Sequence, residues 1–207
     1  MSEQLTMAPT PDRVAEEKRR DDVSNEVLLA PFWTGAGSPF PDSTIPFLYS
    51  RTKEDRLLRR VFPGQEEISL VRFIELLSKA PVVIGFEKKT NEVMAYSFLT
   101  ESSQPKPYTR AMVGFCYFRK FWRHPGMYEL ARQALQWWFY KLDVAVLYGT
   151  ILESNRTALQ FARGLYFQEI GTLPMFFVTA RGPENVVLLC LTREEFRAHF
   201  TSKFGVS

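Results

Sequence analysis

The stretch Asn155-Arg156-Thr157-Ala158-Leu159-Gln160-Phe161-Ala162-Arg163-Gly164-Leu165-Tyr166-Phe167 decides how the rest of this chain is read. Ser154 or Asn155 can cap a helix here, because a short side-chain oxygen accepts a backbone N–H that the first helical turn leaves unpaired. Ala158, Phe161, Ala162 and Leu165 follow at helical spacing and form one apolar face. Residues 144–152 just upstream predict a strand. Downstream, 167–179 and 186–191 predict two closing antiparallel strands joined at Arg181-Gly182-Pro183. The stretch is therefore a short helix with a strand before it and a hairpin after it.

Working toward the N-terminus, residues 127–142 predict a strongly amphipathic helix, with Leu130, Ala131, Ala134, Leu135, Trp138 and Phe139 at the helical period. Trp137 and Trp138, with Tyr128 and Tyr140, could line an aromatic acceptor site, but at this spacing they read more simply as core and flank. A polar and aromatic loop, Arg119-Lys120-Phe121-Trp122-Arg123-His124-Pro125-Gly126, precedes the helix, and a strand over 112–118 precedes the loop. Pro105 and Pro107 mark another loop. Residues 82–86 and 92–99 predict a hairpin about Thr90-Asn91.

Two helices are expected before this sheet. One runs from Thr52 with Leu57, Leu58 and Val61 and stops at Pro63-Gly64; the other covers 68–79 with Leu70, Phe73, Ile74 and Leu77. Val27-Leu28-Leu29 is followed by Pro31, Gly35, Gly37, Pro39, Pro41 and Pro46, which predicts a long surface loop, or an early strand followed by one. Gly35-Ala36-Gly37 is no phosphate loop, since no strand leads into it and no helix opens from it. Residues 1–24 carry Pro9, Pro11 and the mixed run Glu16-Glu17-Lys18-Arg19-Arg20-Asp21-Asp22 with few apolar side chains, so they read as a flexible tail to one domain over 25–207. The class is α/β (α+β): a mixed, largely antiparallel sheet flanked by helices.

Composition narrows the function. With 45% hydrophobic residues in 207, the chain can bury a sizeable core. Its 26 basic against 23 acidic residues are scattered, and a net charge of +3 is too weak to indicate nucleic acid. No run reaches the roughly 20 apolar residues of a membrane-spanning helix. The start, Met1-Ser2-Glu3-Gln4, lacks a basic-then-apolar signal pattern, so a cytoplasmic protein is expected. Cys116 and Cys190 each sit in an apolar run and read as inert thiols, and with His124 and His199 they make no metal site.

The element order and two local motifs resemble the GNAT superfamily of acetyl-coenzyme A dependent transferases over about residues 69–191. In that family a strand leads into a loop whose backbone amides bind the coenzyme pyrophosphate at the start of the next helix, an anion site made by unpaired N–H groups and the helix dipole. The family loop reads R/Q-x-x-G-x-G/A, or in one branch a Trp, then G-x-G, then a helix carrying Glu. Arg119, Trp122, Gly126 and Glu129 are similar to that branch. Pro125 stands where the first key glycine belongs and Met127 where a small residue belongs, and a proline has no N–H to offer a phosphate. Arg119, Lys120, Arg123 and His124 either compensate with side-chain charge or form a solvated basic loop. The second motif, Asn155 to Phe167, is similar to the family pattern N-x-x-A/S followed by a helix and L-G-F, with Tyr166 in place of the glycine. Asn155 by itself is a plain helix cap; within the pattern it also reaches the pantetheine region.

The resemblance implies acetyl-CoA as cosubstrate, held by Phe118, Arg119, Arg123, His124, Gly126, Met127 and Asn155, and an amine acceptor that is a small molecule or a protein. Many members protonate the leaving thiolate with a Tyr where this chain has Ala162. Tyr117 and Glu153 are the candidate catalytic residues, with Glu101 a further candidate base. Three functions compete: an N-acetyltransferase; a catalytically silent GNAT fold with a structural or interaction role, as in some phage virion-associated proteins; and a nucleic-acid-binding module, supported only by residues 119–124.

Overall fold

The computed structural model describes residues 26–33, 38–62, 68–100, 110–179 and 182–200. The expected tail over 1–24, Gly35-Ala36-Gly37, Glu101 and the Pro105–Pro107 loop lie outside the described residues. Among the described residues seven strands make one sheet: β1 Val27–Phe32, β2 Val82–Glu87, β3 Val93–Thr100, β4 Arg110–Tyr117, β5 Val146–Leu152, β6 Gln168–Thr179 and β7 Gly182–Thr192, in the order β1-β2-β3-β4-β5-β7-β6. Every pairing is antiparallel except β4 with β5, which is parallel. The expected hairpin turns at Asn91, which takes φ 57°, a left-handed conformation that Asn adopts more readily than most side chains.

Upstream of β2 the structure corrects the expectation of two helices in front of the sheet. β1 comes first and is an edge strand of that sheet, and among the described residues three helical segments stand between β1 and β2: α1 Thr44–Glu54, α2 Leu58–Val61 and α3 Leu70–Lys79. The helix expected from Thr52 begins eight residues earlier, inside the proline-rich stretch. Pro46 is the third residue of α1, where a backbone N–H has no intrahelical partner, so the missing donor costs nothing. The Pro41 carbonyl receives both the Thr44 N–H and its hydroxyl, at 2.9 and 2.7 Å. Arg56, at φ 55°, then separates α1 from the single turn of α2.

Two apolar clusters cover the sheet. On one face Ile45, Leu48, Phe73 and Leu77 of α1 and α3 pack on Val82, Ile84 and Tyr96. On the other, α4 Met127–Tyr140, α5 Arg156–Gly164 and α6 Arg193–Phe200 supply Leu135, Trp138, Phe139, Leu159, Ala162 and Phe196. Burying a side chain such as Leu135 or Phe139, each fully enclosed, contributes about 1.5–3 kcal/mol. Trp138 meets the polar requirement of its indole by donating to Ser97 Oγ at 3.3 Å.

Helix α6 was not expected from the sequence, although its start is written there. Thr192 and Glu195 form a reciprocal cap: the Glu195 N–H donates to Thr192 Oγ1 at 3.1 Å, and Glu195 Oε2 accepts from the Thr192 N–H and hydroxyl, each at 2.8 Å.

Candidate active site

Between β4 and β5 the sheet opens. The two strands pair only at Arg110↔Val146, Ala111↔Leu147 and Met112↔Tyr148. Beyond that point each keeps its outer neighbour, β4 on β3 as far as Tyr117↔Ala95 and β5 on β7 as far as Leu152↔Val186. Residues 113–117 and 149–152 therefore diverge and bound a V-shaped gap, leaving strand-edge groups directed into it. α4 starts after the loop that follows β4, and α5 starts after the turn that follows β5, so two helix N-termini flank the mouth of the gap. Asn155 opens α5, its Oδ1 accepting the Ala158 N–H at 3.4 Å.

The loop before α4 folds tightly upon itself. Residues Arg119–Phe121 form a 3-10 turn, and Trp122 Nε1 donates back to the Tyr117 carbonyl at 2.8 Å. His124 closes the remainder: its Nδ1 accepts the Gly126 N–H at 3.1 Å and its carbonyl accepts the Met127 N–H at 3.1 Å. The Arg119 N–H donates to Asp55 Oδ2 at 2.7 Å, from the end of α1. Three of the four basic side chains are also engaged. Arg119 lies over the Trp122 ring at 5.3 Å, Lys120 pairs with Glu92, and His124 Nε2 faces Glu87 Oε1 at 3.3 Å, while Arg123 is exposed. No side chain caps α4, so the Tyr128 and Glu129 amides of its first turn have no intrahelical partner.

No family model matches the chain, and no curated protein matches it. Solved structures do. A spermidine N-acetyltransferase from Vibrio cholerae, solved with CoA and spermine, superposes with a TM-score of 0.68 at 13% identity, over 83% of this chain and 98% of its own. A ribosomal-protein-S5-alanine acetyltransferase from Vibrio fischeri gives 0.62 at 12% identity, over 83% and 95%. An acetyltransferase of the GNAT family from Bacillus anthracis gives 0.63 at 9% identity, over 82% and 96%. This chain has the GNAT acetyltransferase fold.

Within the GNAT frame, each residue singled out in the sequence has a definite place. Phe118 is fully buried, its N–H donating to the Met94 carbonyl at 3.0 Å and its carbonyl accepting from Phe121 at 2.9 Å. Its backbone groups are thus committed to the scaffold. Arg119, Arg123, His124 and Gly126 gather in the loop before α4 and Met127 begins that helix, while Asn155 caps the start of α5. Gly126 is buried, and a Cβ there would meet Val27 Cγ1 at 2.4 Å, so the glycine allows β1 to pass beneath the loop.

Tyr117 ends β4 and donates its hydroxyl to the Met127 carbonyl at 2.9 Å. Burial pushes its phenol well above the ordinary tyrosine range, so the group holds its proton. Burial likewise pushes the Cys116 thiol up to about 12, as an inert thiol requires. Glu153 lies just past β5 on the rim of the gap and is half-buried. Its Oε2 accepts from Asn185 Nδ2 at 2.9 Å, and its N–H donates to the Asn185 carbonyl at 2.9 Å.

Asn185 was missed in the sequence. Opposite it on β6 the register slips between Leu173 and Phe177, so three residues face one, and the middle one, Met175, takes φ 48° and gives its N–H to Asn185 Oδ1 at 2.9 Å. A bulge of this kind has no local sequence signal beyond Pro174, which cannot donate to a ladder. An aromatic row was missed as well: Phe161 of α5 meets Tyr117 at 5.3 Å and Tyr128 of α4 at 4.8 Å, spanning the two sides of the gap.

Proposed function

We propose that this protein is an acyl-coenzyme A dependent N-acetyltransferase, moving an acetyl group from acetyl-CoA to an amine carried by a small molecule or a protein. The observation that supports this reading most directly is the separation of β4 from β5 after three pairs, with a helix N-terminus on each side of the opening. Acetyl-CoA, when bound, supplies a thioester carbonyl that an amine can attack.

The fit of the residues to that group is good in the gap and narrow at the loop. Asn155 spends one carbonyl lone pair on a long cap bond and keeps its amide donors for a ligand. At the loop, the Gly126 and Met127 amides are held by His124, which leaves the Tyr128 and Glu129 amides of the first turn, with the side chains of Arg119 and Arg123, to meet a pyrophosphate. Glu129 itself is neutralised by a bidentate contact to Arg132, at 2.7 and 2.6 Å, which lessens its repulsion of an anion there. In this reading Glu153, oriented by Asn185, accepts the proton of the attacking amine. Tyr117, with its phenol held neutral, is a hydrogen-bond donor and not a base.

The engagement of the loop amides favours a second reading, a GNAT fold that has kept its architecture and lost its catalysis for an interaction role. Thermal unfolding separates the two. At about 100 times its Kd, a ligand that binds only the folded state adds about 2.7 kcal/mol. Acetyl-CoA in the millimolar range therefore raises Tm by several degrees if the first reading is right, and leaves it unmoved if the second is. Acetylation of a panel of polyamines and peptide N-termini then identifies the acceptor class.

A further inference from the structure

The row of rings across the gap leads beyond the choice between these two readings. Tyr128 is the second residue of α4, so its Cα belongs to the helix end at which an anion would sit, yet its side chain reaches across to α5. There it touches Phe161, with ring centroids 4.8 Å apart and planes tilted by 40°. It also lies directly upon Gly164: a Cβ at that position would meet Tyr128 Cε1 at 2.7 Å, the hydroxyl oxygen at 2.8 Å and Cζ at 3.0 Å. Phe161 in turn meets Tyr117 of β4 at 5.3 Å. The contact thus joins the first turn of α4, where a pyrophosphate would sit, to α5, the helix that Asn155 opens.

We propose that Tyr128 is the gate of the coenzyme slot: its ring, seated on Gly164 and against Phe161, closes the passage between α4 and α5, and coenzyme A enters only when the ring rotates away. This rests on the acetyltransferase reading and specifies how its site is controlled. The closed position is held by one ring contact and a bare patch of helix backbone. Tyr128 is 45% exposed, so its ring leaves by rotating the side chain into solvent and without any refolding. The glycine is what makes the seat, because any larger residue at 164 would occupy the space the ring now fills. Since only open molecules bind, the apparent association rate scales with the open fraction.

The test is the association rate of coenzyme A measured by stopped flow on the full chain, for the native protein and for Tyr128→Ala, Tyr128→Phe and Gly164→Ala. Tyr128→Ala removes the gate, and Gly164→Ala unseats a ring that is still present. Both should bind faster, by about tenfold for an open fraction near one in ten, whereas Tyr128→Phe should match the native rate, because the ring and not the hydroxyl is the obstacle. Binding by Tyr128→Ala alone, with the native protein inert, would mark the same gate in a more tightly closed state. If the native protein binds and both alanine variants bind at the same rate or more slowly, the gate is overturned and the acetyltransferase reading stands. If none of the four binds coenzyme A while all keep a cooperative thermal transition, both are overturned.

Discussion

His124 Nδ1 accepts the Gly126 N–H at 3.1 Å while Nε2 of the same ring faces Glu87 Oε1 at 3.3 Å. An Nδ1 that accepts carries no proton, so the bonding assigns the proton to Nε2, where it points at the carboxylate. The ring thus joins the loop before α4 to the β2–β3 hairpin. Replacing it (His124→Ala) removes both bonds and should cost about 1–2 kcal/mol in chemical denaturation. The Gly126 amide should also exchange with solvent faster than in the native protein. Unchanged exchange at Gly126 would show that the ring does not hold the loop.

The same contact makes a prediction in acid. The Thr90 hydroxyl, then the His124 ring and the Lys120 ammonium, hold the Glu87 carboxyl below the ordinary carboxylate range, against an opposing effect of burial. A carboxyl with a depressed folded-state value stabilises the protein fully above its unfolded value and loses that contribution as pH falls through the folded one. The stability difference between the native protein and Glu87→Gln should therefore be constant near neutrality and shrink on acidification below the ordinary glutamate range. A difference that persists unchanged into strong acid would rule this out.

Gly126 and Val27 form a steric pair that double substitution can expose. Gly126→Ala places a methyl 2.4 Å from Val27 Cγ1, an atom on a buried, branched side chain with little room to yield. Overpacking of this kind costs about 1–3 kcal/mol. Adding Val27→Ala removes the obstructing methyl, so the double variant should be more stable than the sum of the single effects implies, as read by a denaturation cycle.

At 3.4 Å the Asn155 cap bond is long, so Asn155→Ala should cost only about 0.5 kcal/mol of stability, the low end for caps. Coenzyme affinity in the same variant is the more telling number. Loss of a ligand hydrogen bond worth about 1.4 kcal/mol lowers it tenfold. An unaltered Kd beside a small loss of stability would reduce Asn155 to a cap.

Tyr166 occupies a left-handed position, φ 67°, where glycine would be unstrained. Its ring stacks on His199 with centroids 4.0 Å apart and meets Phe200 edge-on at 5.2 Å. Relief of backbone strain in Tyr166→Gly is about 1–2 kcal/mol, against two ring contacts at about 0.5–1.5 kcal/mol each plus the burial they bring. Contacts should outweigh strain, and Tm should fall by the equivalent of about 1 kcal/mol. A rise in Tm would mean that the ring contacts contribute little.

Several elements were legible because their signals are local. The apolar faces of α3, α4 and α5 recur at helical spacing, and Thr90-Asn91 marks the β2–β3 turn in four adjacent letters, Lys89-Thr90-Asn91-Glu92. The start of α1 was hidden because Pro46 reads as a breaker, and only its placement in the first turn makes it harmless. The sequence leaves β1 between loop and strand because an edge strand is defined by its partner, here β2, whose paired residues lie 50 to 60 positions away. α6 was overlooked although Thr192 and Glu195 spell its cap.

By itself, then, the sequence determined the periodicities, the helix start at Asn155, and an element order that resembles an acetyltransferase. Those depend on contacts between residues a few positions apart. Tertiary structure alone decided what the loop amides are bonded to, how Asn185 holds Glu153, and that Tyr128 rests on Gly164 beside Phe161. The last two join groups from different elements, and the gap beside them exists because β4 and β5 diverge. Divergence is a property of the whole sheet, since each strand follows its outer neighbour, and so no short stretch of the chain could announce it.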